Sequence, residues 1–297
     1  MSKFSFSSAV ATLQELRKTG ERKSDLVVSL GEIIIESVWS VYEQIFIAAL
    51  DLKNDKLAKI CLDNLEKRFA NSPRVKILEG MKLEAEGKLD DASTIYKNIL
   101  EADESNVAQG FLALDRAAGK RVIATFKAKG QISEAIEALS KYLDVYCNDT
   151  EAWLELSALY LEQHLYQQAR FCLEEVILLQ PQNHLSHLKY AEILYTSDNI
   201  PLALREYCRV VELCDDYLRA LYGIKLCTEH LLSLENTSSS SSKSQVSTSL
   251  YDAKILSELK LLATERILNT YSRKSRDTAT DKSNEFKKYI VEWLQAA

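Results

Sequence analysis

TEAWLELSALYLEQHLYQQARFCLEEVILLQPQN, residues 150–183, carries the pattern that decides the fold. Trp153, Leu156, Ser157 and Tyr160 recur at helical spacing in its first half, and Ala169, Leu173 and Val176 do so in its second. Pro181 then stops the second run, because proline lacks a backbone donor and its ring clashes with the preceding turn. Outward from Ala169, alanines in the same apolar setting stand at Ala58, Ala92, Ala135 and Ala203, at intervals of 34, 43, 34 and 34 residues along the row. Self-similarity at such a period marks stacked helix pairs and argues against an unrelated helical bundle.

Within the 34-residue unit the named residues occupy positions 4, 7, 8, 11, 20, 24, 27 and 32, which is the tetratricopeptide pattern. Small residues at positions 8 and 20 let two antiparallel helices approach, while large ones fill the space beside that contact. The expected fold is therefore all-α, a tetratricopeptide-repeat solenoid in which antiparallel helix pairs wind into a right-handed superhelix. Ala58, Ala92, Ala135, Trp153, Tyr160, Ala169 and Ala203 are its repeat-packing residues. The copy over 184–217 repeats the pattern with Tyr190, Ala191, Leu194, Tyr207 and Val210, and Pro201 falls in the first turn of its second helix, where it is tolerated. The copies over 39–72 and 73–106 are degenerate, with Phe46 at the position that should be small. In the copy containing Ala135, Ile123 takes that position, and nine extra residues near Val107 to Asp115 predict a longer first helix or an irregular link.

The ends differ from the middle. Ala9, Val10, Leu13 and Leu16, then Leu26, Leu30 and Ile33, have helical spacing and predict two capping helices. Thr237 to Ser249 is too polar to pack and reads as a disordered loop inside a sixth helix pair, whose second helix resumes at Tyr251. Phe286, Tyr289, Ile290, Trp293 and Leu294 form one apolar stripe, read as a helix closing the array. The expected organisation is capping helices over 1–38, the array over 39–235 with its expansion near 107–115, a serine-rich loop over 236–250 and closing helices over 251–297.

Composition narrows the function. The 297 residues include 37 basic and 43 acidic side chains, for a formal net charge of −6, with no basic patch interleaved with aromatics, so nucleic acid is not an expected partner. The longest apolar run, Ile45 to Leu50, is far shorter than the about 18 residues that cross a bilayer. No secretory signal is evident, and the expected compartment is the cytosol. The six cysteines show no CxxC pair and read as buried thiols, while His184 and His187 lack a completing ligand set, so no metal and no cofactor is expected. With no GxSxG, HExxH, GxGxxG or phosphate loop, the chain is not expected to be an enzyme.

A protein partner is the remaining class. First-helix positions 2, 5, 9, 12 and 13 lie outside the packing signature and line the inner face of such arrays. Here they are apolar: Ile47 and Leu50; Ile77 and Met81; Leu154 and Leu161; Leu185, Leu188 and Tyr195; Tyr222 and Leu226. Such a row either packs on itself in a tightly coiled superhelix or is covered by a bound chain, and the reading taken here is a partner-binding groove. Glu43, Asp51, Glu84, Glu162 and Glu192 lie among these residues and are expected to meet Lys or Arg of the partner. They would repel the acidic C-terminus of a heat-shock protein, which makes a generic tetratricopeptide co-chaperone, or an adaptor in another multiprotein assembly, the alternative.

VYEQIFIAALDLKNDKLAKICLDNL (41–65), RVKILEGMKLEAEGKLDDASTIYKNIL (74–100) and the stretch from Glu151 to Thr196 resemble the family of subunit 2 of the endoplasmic reticulum membrane protein complex. The resemblance covers roughly residues 39 to 227, and its YEQ...AALD and CLEE...PQNH segments are not demanded by the repeat consensus. It implies a non-catalytic scaffold, peripheral on the cytosolic face of the endoplasmic reticulum membrane. Its partners would be the other subunits of that complex, whose cytosolic tails it embraces, and the assembly would insert tail-anchored and multi-pass membrane proteins.

Overall fold

The computed structural model describes residues 6–34, 41–70, 72–104, 112–238, 252–277, 288–289 and 291–292. Among them are fourteen helices and no strand. They are α1 (Phe6–Thr19), α2 (Ser24–Ile34), α3 (Tyr42–Asp51), α4 (Asp55–Arg68), α5 (Pro73–Ala85), α6 (Leu89–Glu104), α7 (Leu112–Ala128) and α8 (Ile132–Val145). Next come α9 (Thr150–Glu162), α10 (Tyr166–Leu179), α11 (His184–Thr196), α12 (Ile200–Leu213), α13 (Leu218–Ser238) and α14 (Ala253–Asp277). The chain divides into two compact units, Met1–Tyr146 and Cys147–Ala297.

Each of the five copies marked by an alanine is one helix pair, and the turn between its helices is the same in all five. Position 15 is left-handed throughout, at Lys53, Gly87, Gly130, His164 and Asp198, with φ of 55°, 80°, 73°, 58° and 59°. The N–H of that residue bonds back to position 12, as in His164 to the Leu161 carbonyl at 3.0 Å. The next N–H bonds to position 11, as in Leu165 to the Tyr160 carbonyl at 2.9 Å. This pair of bonds, a Schellman motif, satisfies carbonyls that the end of a helix would otherwise orphan. Its recurrence at Lys53 and Gly87 shows that the two degenerate copies keep the repeat's register.

The five marker alanines are each no more than 1% exposed, as a tight helix-helix contact requires. Phe46 and Ile123, the bulky residues in the small position, are also buried, at 0% and 2%. Asn54, Asp149 and Asn183 cap α4, α9 and α11 by accepting the N–H of Leu57, Ala152 and Leu185. Pro73 and Pro201 sit in the first turns of α5 and α12.

In the first unit, Ala9, Leu13 and Leu16 of α1 and Val27 and Leu30 of α2 share one core with Tyr42, Ile45 and Phe46 of α3. Gly31 of α2 makes that fit: a Cβ there would stand 2.7 Å from Ile45 Cγ1. The expansion partly resolves into longer helices, because α6 has 16 residues and α7 has 17, so residues 112–115 extend a first helix. Residues 107–111 lie outside the described ones. In the second unit α13 runs on through Thr237 to Ser238, so the first three residues of the segment expected as a loop over 236–250 are helical. Residues 239–250 of that segment, Tyr251, and Phe286, Ile290, Trp293 and Leu294 of the last apolar stripe, are likewise outside the described residues.

Candidate partner-binding surface

In the second unit the packing between repeats leaves a cleft. Leu154, Ala158 and Leu161 of α9, Tyr166 and Leu173 of α10, and Lys189, Glu192, Ile193 and Thr196 of α11 line a space of about 330 Å³. Leu154 and Leu161 rest half-buried against the core of Ala169, Leu173 and Ile193, together with Tyr160 and Tyr190. Trp153 is half-buried on the same helix; its indole N–H donates to the Cys147 carbonyl at 2.8 Å and its ring meets Phe171 edge-on at 6.1 Å. The cleft therefore has an apolar wall fixed by the repeat's own packing, with charge only along α11.

The remaining inner-row residues have three different fates. Leu185 and Leu226 are open to solvent, at 47% and 38% exposure. Ile47, Leu50, Met81, Tyr195 and Tyr222 are half-buried against neighbouring cores. Ile77 and Leu188 are buried, which corrects their assignment to a partner-binding groove. Ile77 joins Ala92, Tyr96 and Ala118 in one core, and Leu188 joins Ala191, Ala203 and Ala220 in another. The chain's own next helices cover both, so neither needs a bound partner to leave water.

The acidic residues also depart from expectation. Glu43 of α3 pairs with Arg74 of α5, Glu84 of α5 with Arg121 of α7 at 3.1 Å, and Glu192 of α11 with Arg219 of α13 at 2.6 Å. Asp51 accepts from Arg22, at 2.6 and 2.8 Å, and from the Ser24 hydroxyl at 2.7 Å. Four of the five acids read as waiting for a partner's cations are thus neutralised by arginines of an adjoining segment. The separations, 27 to 37 residues, place each arginine on a different segment from its acid, where no local sequence signal joins the two.

Two tyrosines reinforce this network. Tyr96 donates to Glu84 at 2.7 Å, and Tyr190 donates to Glu174 at 2.7 Å, with Arg170 also on Glu174. Burial, then the adjacent carboxylate, holds both phenols protonated well above their ordinary range. Lys225 is the least foreseeable member of the second unit. It occupies the small position of the sixth copy, is fully buried, and lies 2.9 Å from Glu229, which is also 3.2 Å from Lys260 of α14.

All six cysteines are unpaired thiols, of which Cys61, Cys172 and Cys227 are buried and Cys147 is exposed. Burial pushes Cys61 and Cys208 up to about 11, and Cys172 and Cys227 up to about 12, so these thiols stay protonated and inert at neutral pH. His187 is taken up by Glu206 at 2.7 Å and the Pro181 carbonyl at 3.1 Å, while His184 packs on Tyr217. Among the described residues no group of three potential ligands could hold a metal ion, and no helix is long and apolar enough to cross a membrane.

Comparison with known proteins agrees with the repeat architecture. Residues 59–205 match the family model described as EMC2 TPR-like repeat domain. The chain is 36% identical to ER membrane protein complex subunit 2-A of Xenopus laevis over 265 residues, 86% of each chain. It is 37% identical to TPR repeat protein oca3 of Schizosaccharomyces pombe over 207 residues, 68% of this chain and 70% of that one. The crystal structure of the C-terminal part of a TPR repeat-containing protein from Cytophaga hutchinsonii superposes with a TM-score of 0.55 at 15% identity, covering 95% of this chain and 98% of that one, and supports the fold alone. With packing alanines, turns and cores in the register of the repeat, and identity to such relatives sustained over most of both lengths, the chain belongs to the family of ER membrane protein complex subunit 2.

Proposed function

We propose that this protein is a non-catalytic scaffold subunit of an endoplasmic reticulum membrane protein complex, peripheral on the cytosolic face of the membrane. There it binds cytosolic tails of the membrane-embedded subunits and supports insertion of tail-anchored and multi-pass proteins. The observation that carries this reading is the identity shared with the Xenopus laevis subunit over 86% of both chains, which leaves no large part of that protein unmatched. The apolar wall of Leu154 and Leu161, with Leu185 and Leu226 exposed on α11 and α13, offers the surface such tails would use. Exposed apolar side chains and an apolar cleft are features that interaction sites use.

The test is affinity purification of the tagged full-length chain from solubilised membranes, followed by mass spectrometry. Membrane-embedded subunits of the complex should co-purify with the parent chain and be lost from the double variant Leu154→Glu, Leu161→Glu. Because those two leucines touch a core, Leu185→Glu with Leu226→Glu is the companion variant, and circular dichroism must show parental helicity for both. Recovery of an unrelated assembly would replace this reading. Full recovery of the membrane subunits by both variants would remove the inner face from it.

A further inference from the structure

Both ring nitrogens of His187 face acceptors. The ring is buried at the joint between the fourth and fifth helix pairs, where Nε2 lies 3.1 Å from the Pro181 carbonyl and Nδ1 lies 2.7 Å from a carboxylate oxygen of Glu206. One imidazole thus ties the turn that leads into α11 to α12, the second helix of the same pair. A carbonyl oxygen can only accept, so Nε2 carries a proton. An ionised carboxylate can only accept as well, so the contact at Nδ1 needs a second proton, on the ring or on Glu206. Either placement gives a pair of zero net charge that holds two protons. With one proton fewer, the lone pair of Nδ1 faces a carboxylate and the bond is lost.

The neighbouring charges do not supply that proton or replace it. Among the described residues no lysine or arginine pairs with Glu206, whose one ionic contact is the His187 ring. On α12, Arg209 is committed to Glu212 at 2.9 Å, and Arg205 is exposed. From α10, Glu174 is taken up by Arg170 and by the Tyr190 hydroxyl, and Glu175 acts on Cys172. On α11 itself, His184 packs on Tyr217 at 5.3 Å and Lys189 is exposed. The Nδ1 contact therefore depends on the proton count of His187 and Glu206 alone.

We infer that Pro181, His187 and Glu206 form a proton-dependent clasp on the joint between these two helix pairs, closed while the pair holds two protons and released when it holds one. The folded chain then binds a proton that the unfolded chain gives up more readily, so the stability the clasp contributes is present at the acid end and is lost as pH rises. The joint sets where α11 stands, and α11 carries Lys189, Glu192, Ile193 and Thr196 of the leucine-lined cleft. The clasp itself is a property of the joint and holds whatever partner that cleft takes.

The test is urea unfolding of the full-length parent, Glu206→Gln and His187→Gln from about pH 5 to 8, the range in which an imidazole changes charge. The amide that Glu206→Gln introduces can donate to a neutral Nδ1, so this variant keeps both contacts with one proton fewer. Across the range the unfolding equilibrium constant of the parent should rise about tenfold relative to that of Glu206→Gln. The advantage of the parent over His187→Gln should be largest at the acid end and shrink as pH rises. Nitrogen NMR of the histidine rings, with His187 assigned by its loss in His187→Gln, should show Nε2 protonated throughout and a change confined to Nδ1. A difference between the parent and Glu206→Gln that is the same at every pH would overturn the proposal. So would a neutral His187 whose proton sits on Nδ1, a readout that needs only the parent spectrum and its assignment and so decides even if Glu206→Gln does not fold.

Discussion

The hydroxyl of Ser157 donates to the carbonyl of Ala169 at 3.2 Å, joining the small residue of one helix to the small residue of its partner. Both are buried, at 3% and 0% exposure, so the helices meet with no side chain between them. Ala169→Leu forces three extra carbons into that contact and should cost about 1–3 kcal/mol, as overpacking does. Ser157→Ala keeps the close approach and removes only a hydrogen bond, for about 1 kcal/mol or less. Urea titrations of the two variants should rank them in that order; equal midpoints would mean that steric contact is not what fixes the pair.

Gly80 and Gly87 stand seven residues apart, and alanine should destabilise the protein at each for a different reason. A Cβ on Gly80 would meet the Tyr96 ring at 2.4 Å. That ring is fully buried and its hydroxyl is tied to Glu84, so it cannot yield. Overpacking of about 1–3 kcal/mol then outweighs the gain of about 1 kcal/mol that alanine brings to a helix interior. At Gly87 nothing lies within 4 Å, but φ is +80° and the cost, about 1 kcal/mol, is the backbone strain of a left-handed alanine. Thermal melts should separate them through the rescue: Tyr96→Phe, which frees the ring from Glu84, should recover part of the Gly80→Ala loss and none of the Gly87→Ala loss.

The packing contacts were legible in the sequence because they are periodic and, in the clearest copies, chemically narrow, with Gly, Ala or Ser where two helix backbones approach; Phe46, Ile123 and Lys225 break that rule and stay buried. The left-handed turn was less so, since Lys53, His164 and Asp198 hold the same conformation as Gly87 and Gly130 with no shared chemistry. The inner face was legible only as a list of positions. Whether such a residue meets solvent or the next repeat depends on the rotation between repeats, which a single repeat does not encode. Leu185 and Leu188 lie one turn apart on α11, yet one is 47% exposed and the other 3%. The arginines that neutralise Glu43, Glu84 and Glu192 come from 27 to 37 residues away, so the sequence shows the acids and hides their partners.

That difference between Leu185 and Leu188 is itself testable. Leu188→Glu places a carboxylate among Ala191, Ala203 and Ala220, and should unfold the second unit or destabilise it by several kcal/mol, about 3 or more. Leu185→Glu adds a solvated charge and should leave stability within about 0.5 kcal/mol. Circular dichroism melts decide it: a stable Leu188→Glu would return that residue to the accessible surface.

The bond between Arg22 and Asp51 predicts an acid-sensitive tie between the start of α2 and the end of α3. The Arg22 hydrogen bond, opposed by burial, holds the Asp51 carboxyl below its ordinary value. A depressed folded pKa means that the contribution is fully present above the unfolded carboxylate range, near pH 4, and is lost as pH falls through the folded value. Both side chains are partly exposed, so the contribution is under about 1 kcal/mol and is screened by salt. The melting temperature of Arg22→Ala should therefore fall below that of the parent at pH 7, and the gap should close toward pH 3. A gap independent of pH would assign the effect of Arg22 to packing.

Lys225 gives the sharpest asymmetry. It stands where the repeat pattern asks for a small residue, fully buried, with Glu229 one turn ahead on α13 and Lys260 reaching the same carboxylate from α14. Taking both charges of such a pair out of water costs more than a surface pair returns, so the pair is held by mutual compensation. Removing one partner leaves the other charge buried: Glu229→Gln should cost about 3–5 kcal/mol and loosen α14, because it leaves two lysines facing each other. Lys225→Met keeps the length of the side chain, discards its desolvation penalty and lets Glu229 keep Lys260, so it should be neutral or stabilising by about 1–4 kcal/mol. Urea unfolding of the two single variants and of the double variant measures the coupling directly. If Lys225→Met destabilises as strongly as Glu229→Gln, the buried ammonium contributes net stability and the compensation account of this helix pair fails.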